Sequence, residues 1–230
     1  MDPVVAIAFW AFLFLATHLA IASRGVRPRL VGALGEQRYR GLYSLVGFAT
    51  LVPLVITFAY HKHSGPMLWY LRIDRPIRWL AWAMMMASFI LIVASFINPS
   101  PASVGAQTRQ SEPRGMLKIT RHPALTGLAI FGLAHVLTNG WLGDVIFFGM
   151  FPVLAIVGAM HQDSRKLREI GEPYREFMAK TSIIPFGALI QGRQHWKSSD
   201  MPWMAIAAGA TVTVAVLALH PWIFGGNPLG

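Results

Sequence analysis

Five apolar runs, each near the length needed to cross a bilayer, restrict this chain more than any other feature. They cover residues 4–22, 41–60, 79–97, 141–160 and 203–224, and a helix needs about 20 apolar residues to span the hydrocarbon core. A sixth run, 123–137, is shorter and reaches full length only with Arg121-His122-Pro123 at the interface. Asn139-Gly140 makes a tight turn between this run and the next. Lipid gives a backbone no partners but its own, so such spans are helical. The expected fold is all-α: a single domain over 1–230, built as a membrane bundle of about six transmembrane helices, with the fourth and fifth forming a hairpin. Charged residues are 13% of the chain, against about a quarter in soluble domains. The first run reads as a retained helix. Ala20-Ile21-Ala22 imitates a cleavage site, but the segment before the run has Asp2 and no Lys or Arg, unlike a signal peptide.

The net charge of +10 follows from topology. Sixteen of the 20 Lys and Arg residues fall within 24–40, 109–121 and 165–197. The other face keeps Lys62, Arg72, Arg75 and Arg78. The positive-inside rule then puts the three basic segments in the cytoplasm and both termini outside it, in a membrane of the bacterial inner type. No nucleic-acid motif accompanies the charge, so the partner expected is the lipid bilayer, with the oligomeric state open. Residues 163–180, interrupted by Gly171, have the pattern of an amphipathic helix on the cytoplasmic surface. Residues 181–186 then turn the chain back to the bilayer. The 23–40 connector, with Gly25 and Pro28, and the polar 99–118 stretch read as loops.

There is no cysteine, which removes disulfides, Fe–S clusters and covalently attached haem. Eight histidines remain. An ionisable ring inside a span is costly and marks function by default, although it can also serve as a hydrogen-bond partner between helices. His18 lies in the first span, His61 closes the second, and His135 sits toward the outer end of the fourth. His122 precedes a proline at a helix start, where its ring can cap the helix or meet an anion. Two histidines on separate helices of a bundle can grip one cofactor. Small residues beside them, Gly132 above all, would leave room for a flat group. At 1.5 Å per residue, His18 and His135 differ in depth by roughly 10 Å. No HExxH motif occurs, and no membrane-embedded carboxylate is expected to complete a zinc or di-iron site.

Five stretches resemble the NnrU family of membrane proteins and are similar to the plant zeta-carotene isomerases that carry the same domain. They are "THLAIAS" (17–23), "GEQRYRGLYSLV" (35–46), "HKHSGPMLW" (61–69), "GMLKITRHPALTGLAIFGLAH" (115–135) and "GEPYREFMAKTSIIPFGALIQGRQ" (171–194). The resemblance implies a haem b held by two membrane histidines, which fall on His18 and His135. A third functional histidine falls on His61, as an exchange or alternative ligand. It further implies redox-gated cis–trans isomerisation of an apolar polyene, with all three histidines at the catalytic centre. A nitric oxide or denitrification-linked haem protein is the variant that the bacterial members imply.

A second resemblance is to the membrane methyltransferases of isoprenylcysteine and phospholipids, which use S-adenosylmethionine. Arg121, His122, Gly127, Tyr174 and Pro185 match their pattern, while Leu125 and Phe177 stand where tyrosines are usual. In the haem reading, Arg121 and His122 would hold a propionate or a lipid phosphate instead.

Overall fold

The computed structural model describes residues 1–71, 75–103 and 112–226, and every secondary-structure element longer than an isolated bridge in them is helical. Arg72, Arg109 and residues 104–111 of the stretch expected to be irregular lie outside the described residues. Helix α1 (Pro3–Ile21) starts where the Asp2 carboxylate accepts from the N–H groups of Val4 and Val5, at 2.9 and 3.2 Å. Pro3 fits the first turn because no helical donor is needed there. Next come α2 (Val26–Leu34), α3 (Glu36–Tyr60), α4 (Arg75–Ile97), α5 (Met116–Ile119), α6 (Pro123–Thr138), α7 (Leu142–Ile170), α8 (Glu172–Lys180), α9 (Gly187–Ile190) and α10 (Trp203–Phe224).

Five helices are long and apolar enough to cross a membrane: Pro3–Ile21, Glu36–Tyr60, Pro76–Ile97, Leu142–Ile170 and Trp203–Phe224. Helix α6 is the shorter sixth, as expected. Large apolar side chains point outward from the spans, among them Phe12 at 71% exposure and Phe48 at 65%. In water that surface would be a liability; in lipid it is the solvent-facing side. The protein is an integral membrane protein.

Two sequence boundaries are corrected. The basic connector is largely helical: α2 contains Pro28, and α3 begins at Glu36 rather than at residue 41. Arg27 reaches both oxygens of Glu36, at 3.0 and 3.1 Å, and so ties α2 to α3. The amphipathic helix does not begin at 163 either. Helix α7 continues through Asp163, Arg165 and Lys166 to Ile170, and Gly171 at φ 76° ends it. Only α8, with Tyr174 and Phe177 buried, is a separate amphipathic piece. Hydropathy reported where lipid ends, not where the helix ends; a glycine able to adopt positive φ did that.

The chain divides into two compact units, 1–81 with 131–165 and 82–130 with 166–230. In the first, Ile7, Ala11, Phe14, Leu54, Phe58, Phe147 and Met150 form the core, with Phe58 stacked on Phe147 at 3.9 Å between ring centroids. The stretch 61–71 after α3 is zipped to the start of α7: Leu68 N–H donates to Gly140 O, Leu142 N–H to Pro66 O and Gly143 N–H to Ser64 O. Gly140 has to be glycine there, since a Cβ would run into the Trp69 carbonyl. In the second unit, α4 is approached closely by α6 and α10. A Cβ at Gly127 would stand 2.7 Å from Ser88 O, and one at Gly209 2.5 Å from the Ile90 Cα. Small residues that let helices touch are the usual packing device where hydrophobicity gives no drive between helices.

Candidate functional site

The first unit holds three of the sequence-predicted histidines. His18 lies one turn from the end of α1. Its ring rests between Phe14, at 5.1 Å between centroids, and Tyr43 of α3, at 4.5 Å. Its Nε2 is hydrogen-bonded to the Tyr43 hydroxyl. Its Nδ1 is buried and has no hydrogen-bond partner, and it faces Gly47, where an added Cβ would stand 3.7 Å away.

His135 sits in the last turn of α6. Its Nδ1–H donates to Phe131 O at 2.9 Å, because a carbonyl can only accept. In the neutral ring this leaves the lone pair on Nε2. The ring stacks on Phe148 of α7 at 4.3 Å and 19°, and Phe131 closes the other side at 4.3 Å.

Gly132 does something other than leave room for a flat group. A Cβ there would be 2.5 Å from Phe148 O and 2.8 Å from the Pro152 Cδ. Pro152 has no N–H, so the Phe148 carbonyl lacks its helical donor. Gly132 allows α6 to close onto that carbonyl, and the closure sets Phe148 under His135.

Depth can be counted from the contact between Ile7 and Gly143. His18 is 11 residues further along α1, about 16.5 Å, and Phe148 is 5 residues along α7, about 7.5 Å. The offset expected from the sequence is therefore retained in the structure, at about 9 Å. His61 is elsewhere. It caps α3, exposed, 18 residues beyond Tyr43, or about 27 Å along the helix. The structure does not bring it to His18.

Neutral imidazole is a donor of the kind a haem iron takes. Each of the two rings is an imidazole with one nitrogen tied to a fixed partner. No group of three or more His, Asp or Glu side chains that could hold a bare ion occurs among the described residues. A ligating histidine generally has its other nitrogen held by a neighbouring group, as Phe131 O holds Nδ1 of His135.

The second unit holds Arg121 and His122, both buried. Here the structure gives the arginine a folding role. Arg121 N–H donates to Ser182 O at 2.9 Å, its guanidinium donates to Thr181 O at 3.3 Å, and Ser100 Oγ donates to Arg121 O at 2.6 Å. Arg193 adds bonds to Ala179 O and Thr181 O, at 2.6 and 2.7 Å. Two cations thus converge on the C-terminal carbonyls of α8, where the helix dipole favours positive charge. The His122 N–H donates to Thr120 Oγ1 at 3.3 Å. Tyr174, part of the methyltransferase pattern, is packed in a core with Ala102, Leu117 and Phe177.

Sequence reading missed two residues. Asp144 is a carboxylate inside a span, 1% exposed, in the first turn of α7 and 2.9 Å from His63 Nδ1. This corrects the expectation that no membrane-embedded carboxylate exists. Its signal was a lone acid in the apolar stretch "WLGDVIFFG" (141–149). Tyr43 was missed because a tyrosine in a span ordinarily reads as packing or as an interfacial anchor.

A family profile described as NnrU protein matches residues 6–228. The chain belongs to the NnrU family. Among curated proteins, this NnrU chain is 28% identical over 237 residues to 15-cis-zeta-carotene isomerase, chloroplastic, of Arabidopsis thaliana, covering 98% of the chain and 62% of the relative. It is 29% identical over 219 residues to the protein of the same name from Zea mays, covering 91% of the chain and 58% of the relative. The NnrU chain thus spans about three-fifths of the length of these relatives. No solved structure matches it.

Proposed function

We propose that this chain is a haem b-binding membrane enzyme that isomerises a cis double bond in an apolar polyene, with His18 and His135 as the iron ligands. The observation that carries the reading is the pair of span-embedded imidazoles in one unit, each with one nitrogen held and a chemistry suited to neutral donation. The likeness to the two isomerases names the reaction class. Bound haem would supply a Lewis-acidic iron that polarises a double bond and lowers the barrier to rotation about it.

The rest is done by the chain. Phe131 O holds His135 in one tautomer, and the Phe148 face holds its plane. Tyr43 and Phe14 hold His18. Phe14 and Phe147 belong to the apolar core of this unit, with Phe151 packed against it, side chains of the kind an apolar polyene would pack against. The distribution of basic residues supports termini outside the cytoplasm, in a membrane of the bacterial inner type.

The test uses the purified chain in mild detergent, loaded with haem, reduced, and given a polyene with a single central cis bond. Conversion to the trans isomer, followed by chromatography and lost in His135→Ala, is the expected result. Unchanged polyene with fully haem-loaded, reduced protein would overturn the isomerase reading.

A further inference from the structure

Between α8 and α10 the chain lies outside the long spans, yet Ile184 and Ile190 are 71% and 83% exposed and Phe186 is half-exposed. Their level is set by the neighbours that hold them. Arg121 N–H donates to Ser182 O at 2.9 Å, Thr120 Oγ1 to Ile183 O at 3.1 Å and Phe186 N–H to Ile119 O at 2.8 Å. Residues 182–186 are therefore laced to 119–121, and α6 begins just beyond, at Pro123. The chain enters its next span at Trp203, itself exposed, as tryptophans at a membrane boundary are. The three apolar side chains thus stand where helices meet the bilayer.

The turn is built to hold them out. Phe186 has φ 63°, a left-handed conformation that a bulky residue rarely adopts and that persists only where its surroundings over-determine it. Here the bond to Ile119 O and the bond from Gly187 N–H to Ile184 O, at 3.0 Å, fix it from both sides. Gly187 seats the turn closely, since a Cβ there would be 2.6 Å from Ser182 Oγ. Ala188 is fully buried, and Arg193 ties the exit to Ala179 O and Thr181 O. In water so rigid a turn would keep three large apolar side chains hydrated.

We propose that residues 183–190 are an in-plane anchor sunk in the lipid, with Ile184, Phe186 and Ile190 among the acyl chains. Gln191, Arg193 and Lys197, all exposed, follow at once and meet the headgroups. Short apolar faces with polar flanks lie in the interface in this way. Because the same turn bonds Ile119, Thr120 and Arg121, the anchor sets the depth at which α6 enters the membrane. It does so whether or not haem is bound.

The chain has no cysteine, so Ile184→Cys, Ile190→Cys, Phe12→Cys and Lys197→Cys each take a single nitroxide label. The full-length variants, shown folded by circular dichroism and elution volume, are placed in vesicles of phosphatidylcholine and phosphatidylglycerol. Collisions of the label with oxygen and with a water-soluble nickel chelate are then measured. Labels at 184 and 190 should favour oxygen several-fold, like the label at 12 in a span, whereas the label at 197 favours nickel. A preference for nickel at 184 and 190 overturns the proposal. So does poor access of both reagents there, which would mean that a second copy or another protein covers the patch.

A second measurement leaves the sequence unchanged. The parent chain is irradiated in vesicles whose phospholipid carries a photoactivatable group on its acyl chain, and adducts are mapped by mass spectrometry. Adducts within 183–190 are expected, and adducts confined to the spans overturn the anchor.

Discussion

The two ends of α6 carry one histidine each, and they are built from opposite materials. At the start, His122 is buried in a knot of Thr120, Arg121, Thr181 and Ser182, where backbone N–H and C=O groups do most of the bonding. At the end, His135 lies between two phenylalanine rings and its Nδ1–H donates to a backbone carbonyl. A polar, mutually satisfied knot fixes chain geometry, because each lost partner strands another buried group. An aromatic slot fixes the plane of the ring, and the Nδ1–H bond to Phe131 O fixes its tautomer. Two histidines thirteen positions apart thus sit in opposite surroundings, one in a polar knot and one against aromatic rings, and the proposed ligand role falls on the second.

The largest test of that contrast is paired substitution. His135→Ala is expected to abolish the low-spin ferric haem spectrum of the loaded protein, whereas His122→Ala keeps the spectrum and lowers the thermal midpoint. A spectrum that survives His135→Ala and vanishes with His122→Ala would reverse the assignment. The packing of the slot comes next. Gly132→Ala places a Cβ against the Phe148 carbonyl, and overpacking of this kind costs about 1–3 kcal/mol. It should lower the unfolding midpoint in detergent and weaken haem retention together, because Phe148 supports His135. A smaller effect is expected at the knot. Arg121→Ala removes one charged donor from Thr181 O while Arg193 remains on it, so the loss should fall near the lower end of about 1.5–3 kcal/mol and deepen when Arg193→Ala is added.

The smallest prediction lies away from both ends of α6. Asp200 accepts from Lys118 Nζ at 2.7 Å, and this bond, more than the backbone N–H of Lys197, holds its carboxyl below the usual range. A lowered folded value stabilises the protein above the ordinary carboxylate pKa of about 3.9, and that stability is lost as pH falls through the folded value. Asp200→Asn should therefore cost less than about 1 kcal/mol at neutral pH. The difference from the parent should shrink steadily as denaturation curves are taken from pH 5 toward pH 3. A penalty that stays constant across that range would remove the ion pair as its cause.

Much of this was legible in the sequence because lipid leaves few options. Five spans, the short α6 and the turn at Asn139-Gly140 follow from apolar length and turn chemistry alone. The extension of α7 was not legible, since Asp163, Arg165 and Lys166 favour helix as readily as they favour water, and only the backbone at Gly171 shows where the helix stops. The histidines stood out because their cost in lipid is high. Their partners did not. Tyr43 is an ordinary residue until the fold puts its hydroxyl on His18. Gly132 reads equally as a gap or as a contact, and contact distances to Phe148 and Pro152 were needed to choose.

The most direct measurement is haem content. The parent chain, produced in haem-replete cells and purified in mild detergent, should hold one haem b per chain by pyridine haemochrome assay, and the His18→Ala/His135→Ala double variant should hold none. A folded parent chain that stays colourless and binds no added haem, or a double variant that keeps a full complement, would contradict the assignment of these two histidines.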